Sequence, residues 1–291
     1  MHNYLTPAAL QQFIANALAE DNGKGAVAFF GDHSALAAIP ETAQNTAQLL
    51  IKDNGILAGV ELAKLIFEQV DKDLKLTFFK KEGEAVQKGQ IAFEVSGRAQ
   101  SILTAERVVL NCMQRMSGIA TLTQKYVQAV SHTQAKILDT RKTTPNSRLT
   151  EKWAVRIGGG TNHRFGLFDM IMLKDNHVDF AGGIRAAIEA AQQYLEKNGQ
   201  KLPIEIETRN LEEVKQVLEV GGIDVIMLDN MDIDTMKTAV ALINGRFETE
   251  ASGGITLETI AAVAETGVDS ISVGALTHSY QSLDLSLKAK K

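Results

Sequence analysis

Three cation-rich strings, DTRKTTP, GGGTNHRFG and LKDNH, fall between Asp139 and His177, a stretch holding seven Lys or Arg against four Asp or Glu. That +3 island sits in a chain of net charge −5, so the remainder is −8. A basic island on an acidic body suits a pocket for a small polyanion, because a nucleic-acid surface needs a broader positive field. Arg141, His163, Arg164 and Lys174 would surround the anion, arginine gripping carboxylates with paired bonds and lysine supplying a compact charge. Structural salt bridges compete as the account of any one of these cations, but four together beside three glycines argue for a ligand. His177 reads as a hydrogen-bonded structural group, and no His and Cys spacing fits a zinc site.

Glu207 and Asp229 each close a β-prone run, and buried carboxylates there need a cation or a hydrogen-bond partner. Magnesium bridging to a phosphorylated substrate would satisfy them. Ion pairs with Lys142 or Lys174 are the alternative, and the two states can alternate as substrate enters. SGGIT, with Ser252, Gly253 and Gly254, leads into the helical string TLETIAAVAET, where free amides attract phosphate. SVGALTH, with Ser272, Val273, Gly274 and His278, repeats that layout one unit later. The plainer reading of these glycines is tight turning alone.

The elements that must position these groups are legible from Lys136 onward. Six β-rich runs, KILDT, MIMLK, PIEIE, DVIML, ETEAS and DSISV, alternate with helical segments, as in βαβ units. They end beside Thr140 and Arg141, Lys174, Glu207, Asp229, Ser252 and Gly253, and Gly274. From Lys174 the ends recur about every 22 to 33 residues, room for one strand and one helix. GGIDVIMLDN and TGVDSISVGA echo each other, which suggests repeated construction. In a parallel barrel the strand ends share one mouth, so distant residues converge there.

Upstream the pattern is α+β. Thr6 before Pro7 starts a helix to about Glu20, with Leu10, Phe13, Ile14 and Leu18 on its apolar face. Strand-like stretches over 47–58 and 74–80 flank a helix over Val60–Val70. EGEAVQKGQIAFEVSG, Glu82 to Gly97, reads as sharply bent hairpins. It is also similar to swinging-arm carrier domains, but no lysine sits in a tip between methionines, so it is taken as scaffold. A helix begins at Thr104, Gly118 marks a break or bend, and a second helix runs to about Val130.

With 291 residues and 45% apolar content, the chain can bury the core of a barrel enzyme plus a small domain. A single cysteine, Cys112, excludes an internal disulfide framework. The leading MHNYLTPAAL lacks the layout of a signal peptide, and no apolar run nears the roughly 20 residues of a membrane span. These features place the protein in a reducing cytoplasm. The trailing KAKK reads as frayed.

The strings ERVVLNCMQRMSGIAT, DTRKTTP, EKWAVRIGGGTNHRFGLFDMIMLKDNH, IEIET, IMLDN, SGGI and ISVGALTHS, in this order and spacing, resemble the quinolinate phosphoribosyltransferases, the decarboxylating nicotinate-nucleotide pyrophosphorylases. The resemblance covers nearly the whole chain. It implies an α/β fold, an incomplete α/β barrel of about seven strands over 118–278, preceded by a small α+β open-faced sandwich over 1–117. A final helix, about 279–291, would return to the sandwich. The implied reaction moves phosphoribose from phosphoribosyl pyrophosphate to the ring nitrogen of quinolinate, with loss of carbon dioxide.

The resemblance also implies roles. Arg141, His163, Arg164 and Lys174 would hold the quinolinate carboxylates, with Thr140 and Lys142 close by. Glu207 and Asp229 would face ribose and magnesium pyrophosphate. Ser252, Gly253, Gly254, Ser272, Val273, Gly274 and His278 would cradle the 5-phosphate. Lys142, Lys174, Glu207 and Asp229 form the catalytic set, Mg2+ is the cofactor with no organic one, and Arg107 of a homodimer would reach the partner subunit's pocket. Larger assemblies stay open.

Three departures limit the transfer. The family's compact acidic-glycine segment is split here by GKGAVAFF, residues 23–30, an insertion around Ala26–Phe30. After TRKTTP, Asn146 and Ser147 replace a glycine-leucine pair before Arg148, whose role is less secure. Cys112 stands where an aromatic is usual and reads as helix packing. Two other classes remain: an aldolase-like barrel with Lys174 as a Schiff-base lysine, and a non-catalytic or metal-transport-associated paralogue that binds a phosphorylated metabolite.

Overall fold

A computed structural model describes residues 4–290. Met1, His2 and Asn3 of the leading string, and Lys291 of the trailing one, lie outside the described residues. Contacts divide the chain into two compact units. The first takes residues up to Leu122, Pro145–Gly159 and residues from Tyr280 on; the second takes Thr123–Thr144 and Gly160–Ser279.

In the first unit, α1 (Pro7–Asn22) opens where expected: Thr6 Oγ1 accepts from Ala9 N at 3.2 Å, and Gly23 at φ 72° closes it. α2 (His33–Ala38) is capped by Asp32, which accepts from Ala35 N at 2.9 Å. Then come β1 (Gln44–Ile51), β2 (Gly55–Ile56), α3 (Val60–Val70), β3 (Lys75–Phe78), β4 (Ala85–Val86) and β5 (Ile91–Arg98). β1 alternates, burying Ala47, Leu49 and Ile51, while α3 buries Leu62, Ala63, Ile66 and Phe67 on one stripe. Phe67 meets Phe93 of β5 edge to face, ring centroids 6.0 Å apart.

Two local readings are corrected here. Glu82–Gly97 is not a hairpin of paired neighbours: β4 pairs with β2, whereas β5 pairs with β1 and β3 in another sheet. The glycine turn therefore hands the chain from one sheet to the next. Gly118 does not interrupt the helix either, since α4 (Ala99–Ala129) runs through it for 31 residues. A Cβ at Gly118 would press into the backbone carbonyl of Gln281, so the glycine serves close backbone approach, not a bend.

The second unit is built from parallel strands: β6 (Lys136–Leu138), β7 (Ile171–Leu173), β8 (Ile204–Thr208), β9 (Val225–Asp229), β10 (Glu248–Ser252) and β11 (Ser270–Ser272). Between β6 and β7 lies α5 (Arg148–Ile157), which belongs by its contacts to the first unit. The other connections are α6 (Asp175–Ala181) and α7 (Ile184–Asn198), α8 (Leu211–Val220), α9 (Ile233–Ile243), α10 (Ile260–Ala264) and, after β11, α11 (Ala275–His278). Strand order is β6-β11-β10-β9-β8-β7, every pairing parallel. All six expected strands are present, and the seventh stave shrinks to one parallel bridge, Leu138 with Thr161.

Caps start the connecting helices: Asn210 accepts from Glu213 N at 3.0 Å and Asp232 from Thr235 N at 2.9 Å. Ile206, Ile226, Leu228, Ala251 and Ile271 are buried on one face of the sheet, as are Val214, Val217, Met236 and Ala239 of its helices.

The chain end differs from the expected helix. Leu285–Ala289 forms β12, antiparallel to β1, and the first sheet is ordered β12-β1-β5-β3. Alternation decides this: Leu283, Leu285 and Leu287 are buried at a period of two, not 3.6. Nor do residues 288–290 read as frayed, because Lys290 N donates to Thr46 O at 2.8 Å and its Nζ reaches Glu94 Oε1 at 2.7 Å. Among the described residues no helix is long and apolar enough to cross a membrane.

Candidate active site

Parallel register aligns the site within the second unit. Glu207 pairs with Met227, and Asp229 with Ser252, so a row of polar side chains marks the C-terminal ends of β8, β9 and β10. Lys174, one residue past β7, makes an ion pair with Glu207, whose other oxygen accepts from Asp175 N at 3.3 Å. His177 Nδ1 accepts from Lys174 N at 2.9 Å, so this histidine holds the lysine's backbone and is structural, as its position suggested. Thr140 and Arg141 lie beyond the end of β6, where Thr140 Oγ1 accepts from Lys142 N at 3.0 Å.

The NHRFG loop is tied down at both ends by carboxylates. Asp139, fully buried, accepts from His163 N at 2.9 Å and from Asn162 Nδ2 at 2.5 Å. Asp169 accepts from Phe165 N at 2.7 Å and Gly166 N at 2.9 Å. Arg164 donates to Met170 O at 3.4 Å. Burial, then the positive charge of Arg141, press its guanidinium below the usual arginine range. Arg141 Nε is itself buried and meets no acceptor among the described residues. Two neighbouring guanidiniums, one with an unmatched donor, are the signature of a site waiting for an anion.

The two glycine loops are more irregular than helix starts. TLETIAAVAET is not one helix: residues 256–259 turn, with Thr256 N donating to Thr259 Oγ1 at 3.0 Å, and α10 begins only at Ile260. Helix-end amides therefore do not lie at SGGIT. Left-handed glycines, Gly253 at φ 96° and Gly254 at φ 58°, shape that loop instead. Gly274 has ordinary helical φ (−63°), but a Cβ there would come within 3.0 Å of both Lys142 Cδ and His278 Nε2. Thr277 Oγ1 donates to Lys142 O at 2.9 Å. Lys142, Gly274 and His278 are thus one packed group.

The model of the quinolinate phosphoribosyl transferase C-terminal domain matches residues 119–288, and that of its N-terminal domain matches residues 32–117. The chain belongs to the quinolinate phosphoribosyltransferase family. A nicotinate-nucleotide pyrophosphorylase [carboxylating] of Arabidopsis thaliana is 51% identical over 293 residues, 96% of this chain and 82% of that protein. A probable nicotinate-nucleotide pyrophosphorylase of Bacillus subtilis is 46% identical over 241 residues, 83% of this chain and 82% of that one. Among solved structures, NadC from Streptococcus pyogenes is 38% identical with a TM-score of 0.90, covering 100% of both chains. The nicotinate-nucleotide pyrophosphorylase from Francisella tularensis is 38% identical, TM-score 0.89, over 99% of this chain and 98% of that chain.

Within the second unit, strand register aligns Glu207, Asp229 and Ser252, Lys174 pairs with Glu207, Arg164 lies in the field of Arg141, and Lys142 packs with Gly274 and His278. Arg107 is not among them: it lies in the first unit, exposed on α4. Arg148 likewise belongs to the first unit. His163 differs from its expected role. Its Nδ1 accepts from Arg164 N at 2.7 Å, and its Nε2 lies 2.9 Å from Glu205 Oε2 and 3.5 Å from Glu250 Oε2, so both ring nitrogens face protein. Glu207 makes the ion pair with Lys174 that its sequence position offered as the alternative to a metal, and also accepts from a backbone amide. Asp229 accepts from a neutral group, Asn230 Nδ2, at 2.7 Å. Cys112 is packed in α4, and burial pushes its thiol up to about 12, which suits its reading as helix packing.

Sequence reasoning missed Asp139, Asp169, Glu205, Asn230 and Glu250. A signal existed for the two glutamates. Parallel strands covered on both faces read as apolar runs, yet IEIET and ETEAS alternate glutamate with Ile, Thr or Ala. Period two puts Glu205 with Glu207, and Glu250 with Ser252, on one face.

Proposed function

We propose that this chain transfers the phosphoribosyl group of phosphoribosyl pyrophosphate to quinolinate with decarboxylation, yielding nicotinate mononucleotide, pyrophosphate and carbon dioxide, the route to NAD named by its family. The observation that carries this reading is the Arg141–Arg164 pair, with the buried Arg141 Nε unmatched. A pyridine dicarboxylate supplies the two anionic groups that such a pair lacks. Lys174 adds a third cation at the neighbouring strand end, held in place by Glu207. Lys142 and His278, gathered at Gly274, suit the 5-phosphate beside the amides of Gly253 and Gly254.

Departure of pyrophosphate leaves positive charge on the ribose carbon, and Asp229 at the strand-end row is placed to stabilise it. Asp229 is also the residue that would hold Mg2+, which when bound offsets the charge of the leaving pyrophosphate. Once ribosylated, the ring nitrogen withdraws electrons. The adjacent carboxylate then leaves as carbon dioxide, and the electron pair stays on the ring carbon until a proton replaces it. The arginines and lysines orient and neutralise, so no covalent nucleophile and no organic cofactor are assigned.

The active form is read as a homodimer in which Arg107 crosses to the partner subunit, supported by its exposure on α4 and by the family pattern around it. A cytoplasmic location is supported by the lone packed cysteine. Purified protein incubated with quinolinate, phosphoribosyl pyrophosphate and magnesium should release nicotinate mononucleotide and carbon dioxide in equal amounts. Nicotinate, with one carboxylate, should give almost no product. Equal turnover of both acceptors, or none of quinolinate, would overturn the reading.

A further inference from the structure

We propose that Glu205 and Glu250, a buried pair on either side of β9, are positioning residues for His163. The pair holds the imidazole as its Nε2–H tautomer and so aims the backbone of Arg164. The geometry begins with burial. Glu205 is 0% exposed and Glu250 2%, and they stand on β8 and β10 with β9 between them. His163 Nε2 lies 2.9 Å from one and 3.5 Å from the other. Both are charge contacts to the ring, and Glu205 Oε1 and Oε2 and Glu250 Oε1 find no other partner among the described residues.

One histidine and two carboxylates, with ligand atoms all within 4.8 Å of one another, have the makings of a metal site. The other ring nitrogen argues against it. Nδ1 accepts from Arg164 N at 2.7 Å, so it bears a lone pair and the ring proton belongs on Nε2. A metal on Nε2 would need that same position bare and the proton on Nδ1, which would break the bond to Arg164.

A proton resolves the cluster without a metal. Two buried carboxylates this close do not both ionise. Burial first, and the charge of Glu205 second, push Glu250 up to about 8, against the opposing pull of His163, the Ser272 hydroxyl and Lys174. Glu205 in turn lies in the field of Arg164 and supports its charge. Glu205, the nearer at 2.9 Å, is the one that faces the ring N–H, and Glu250 is the member pushed toward its acid form. The consequence for the pocket is indirect: Asp139 holds His163 N, the imidazole holds Arg164 N, and the glutamates hold the imidazole. Loss of the lower pair should loosen Arg164, the carboxylate-gripping cation.

The kinetic part of the test rests on the proposed function, whereas the spectroscopic part does not. Nitrogen-15 spectra of the His163 ring in the whole protein should show the Nε2–H tautomer near neutral pH, unchanged by manganese or zinc. Glu250→Leu should raise KM for quinolinate about tenfold with a smaller effect on kcat, and Glu250→Gln, which mimics the protonated acid, should restore it to within about twofold. Glu205→Gln should not be tolerated in the same way. An Nδ1–H or doubly protonated ring, a metal bound stoichiometrically and lost in Glu250→Gln, or equal damage from the two glutamine variants would overturn the proposal. If Glu205→Gln fails to fold, the ring spectra of the native protein decide alone.

Discussion

Asn230 donates its side-chain amide to Asp229 at 2.7 Å from a left-handed backbone, φ 52°, while its own N–H reaches Ser252 O at 2.9 Å. One residue thus orients a carboxylate and ties β9 to β10. Asparagine is suited to both tasks, since its short amide tolerates the left-handed region. Asn230→Asp would place a second negative charge against Asp229. We expect kcat/KM to fall about tenfold or more, with more magnesium required for half-maximal rate. Steady-state kinetics across a magnesium series measures both.

Two glycines of the loops after β10 and β11 should answer differently to alanine. Gly253 sits at φ 96°, and a Cβ would press into the Asn230 side chain and lie 2.9 Å from its backbone N. Gly253→Ala should therefore cost about 1–3 kcal/mol of stability as well as activity. At Gly274 the backbone is helical and the obstructing atoms are flexible side-chain ends, 3.0 Å away. Gly274→Ala should fold normally but raise KM for phosphoribosyl pyrophosphate about tenfold by displacing Lys142 and His278. Urea unfolding beside initial-rate kinetics separates the two cases.

Gly118 gives a test away from the chemistry. Alanine is the better helix former, by about 1 kcal/mol in an exposed helix. Here its methyl group would meet the Gln281 carbonyl, so Gly118→Ala should destabilise by about 1–3 kcal/mol. A rise in the urea midpoint would show that the close approach of α4 to the chain end is not as drawn.

A pocket completed by the partner subunit predicts complementation. Arg107→Ala and Arg141→Ala should each be nearly inactive alone. Mixed in equal amounts after dissociation, they should recover about a quarter of native activity, because about half of the dimers are then hybrids and in each hybrid one pocket carries both lesions and the other neither. Confirmed heterodimers without recovered activity would exclude a donated Arg107.

What the sequence by itself determined was local and repetitive. Alternating β-rich and helical runs from Lys136 marked all six parallel strands, since each strand's apolar content and each helix's period are written in neighbouring residues. The strings around Arg141, Arg164, Lys174, Glu207 and Asp229 marked the family for the same reason. Only the tertiary structure decided matters that depend on what lies opposite. Gly118 is silent about Gln281, 163 positions later, and so reads as a helix break. Leu285 and Leu287 become a strand because β1 offers an unpaired edge. His163 looked like one more cation for the substrate until its ring was found between Glu205 and Glu250, two residues that are 45 apart in the chain and brought together by parallel pairing on either side of β9. Side-chain direction and long-range pairing set a residue's electrostatic role, and neither is encoded within a short string.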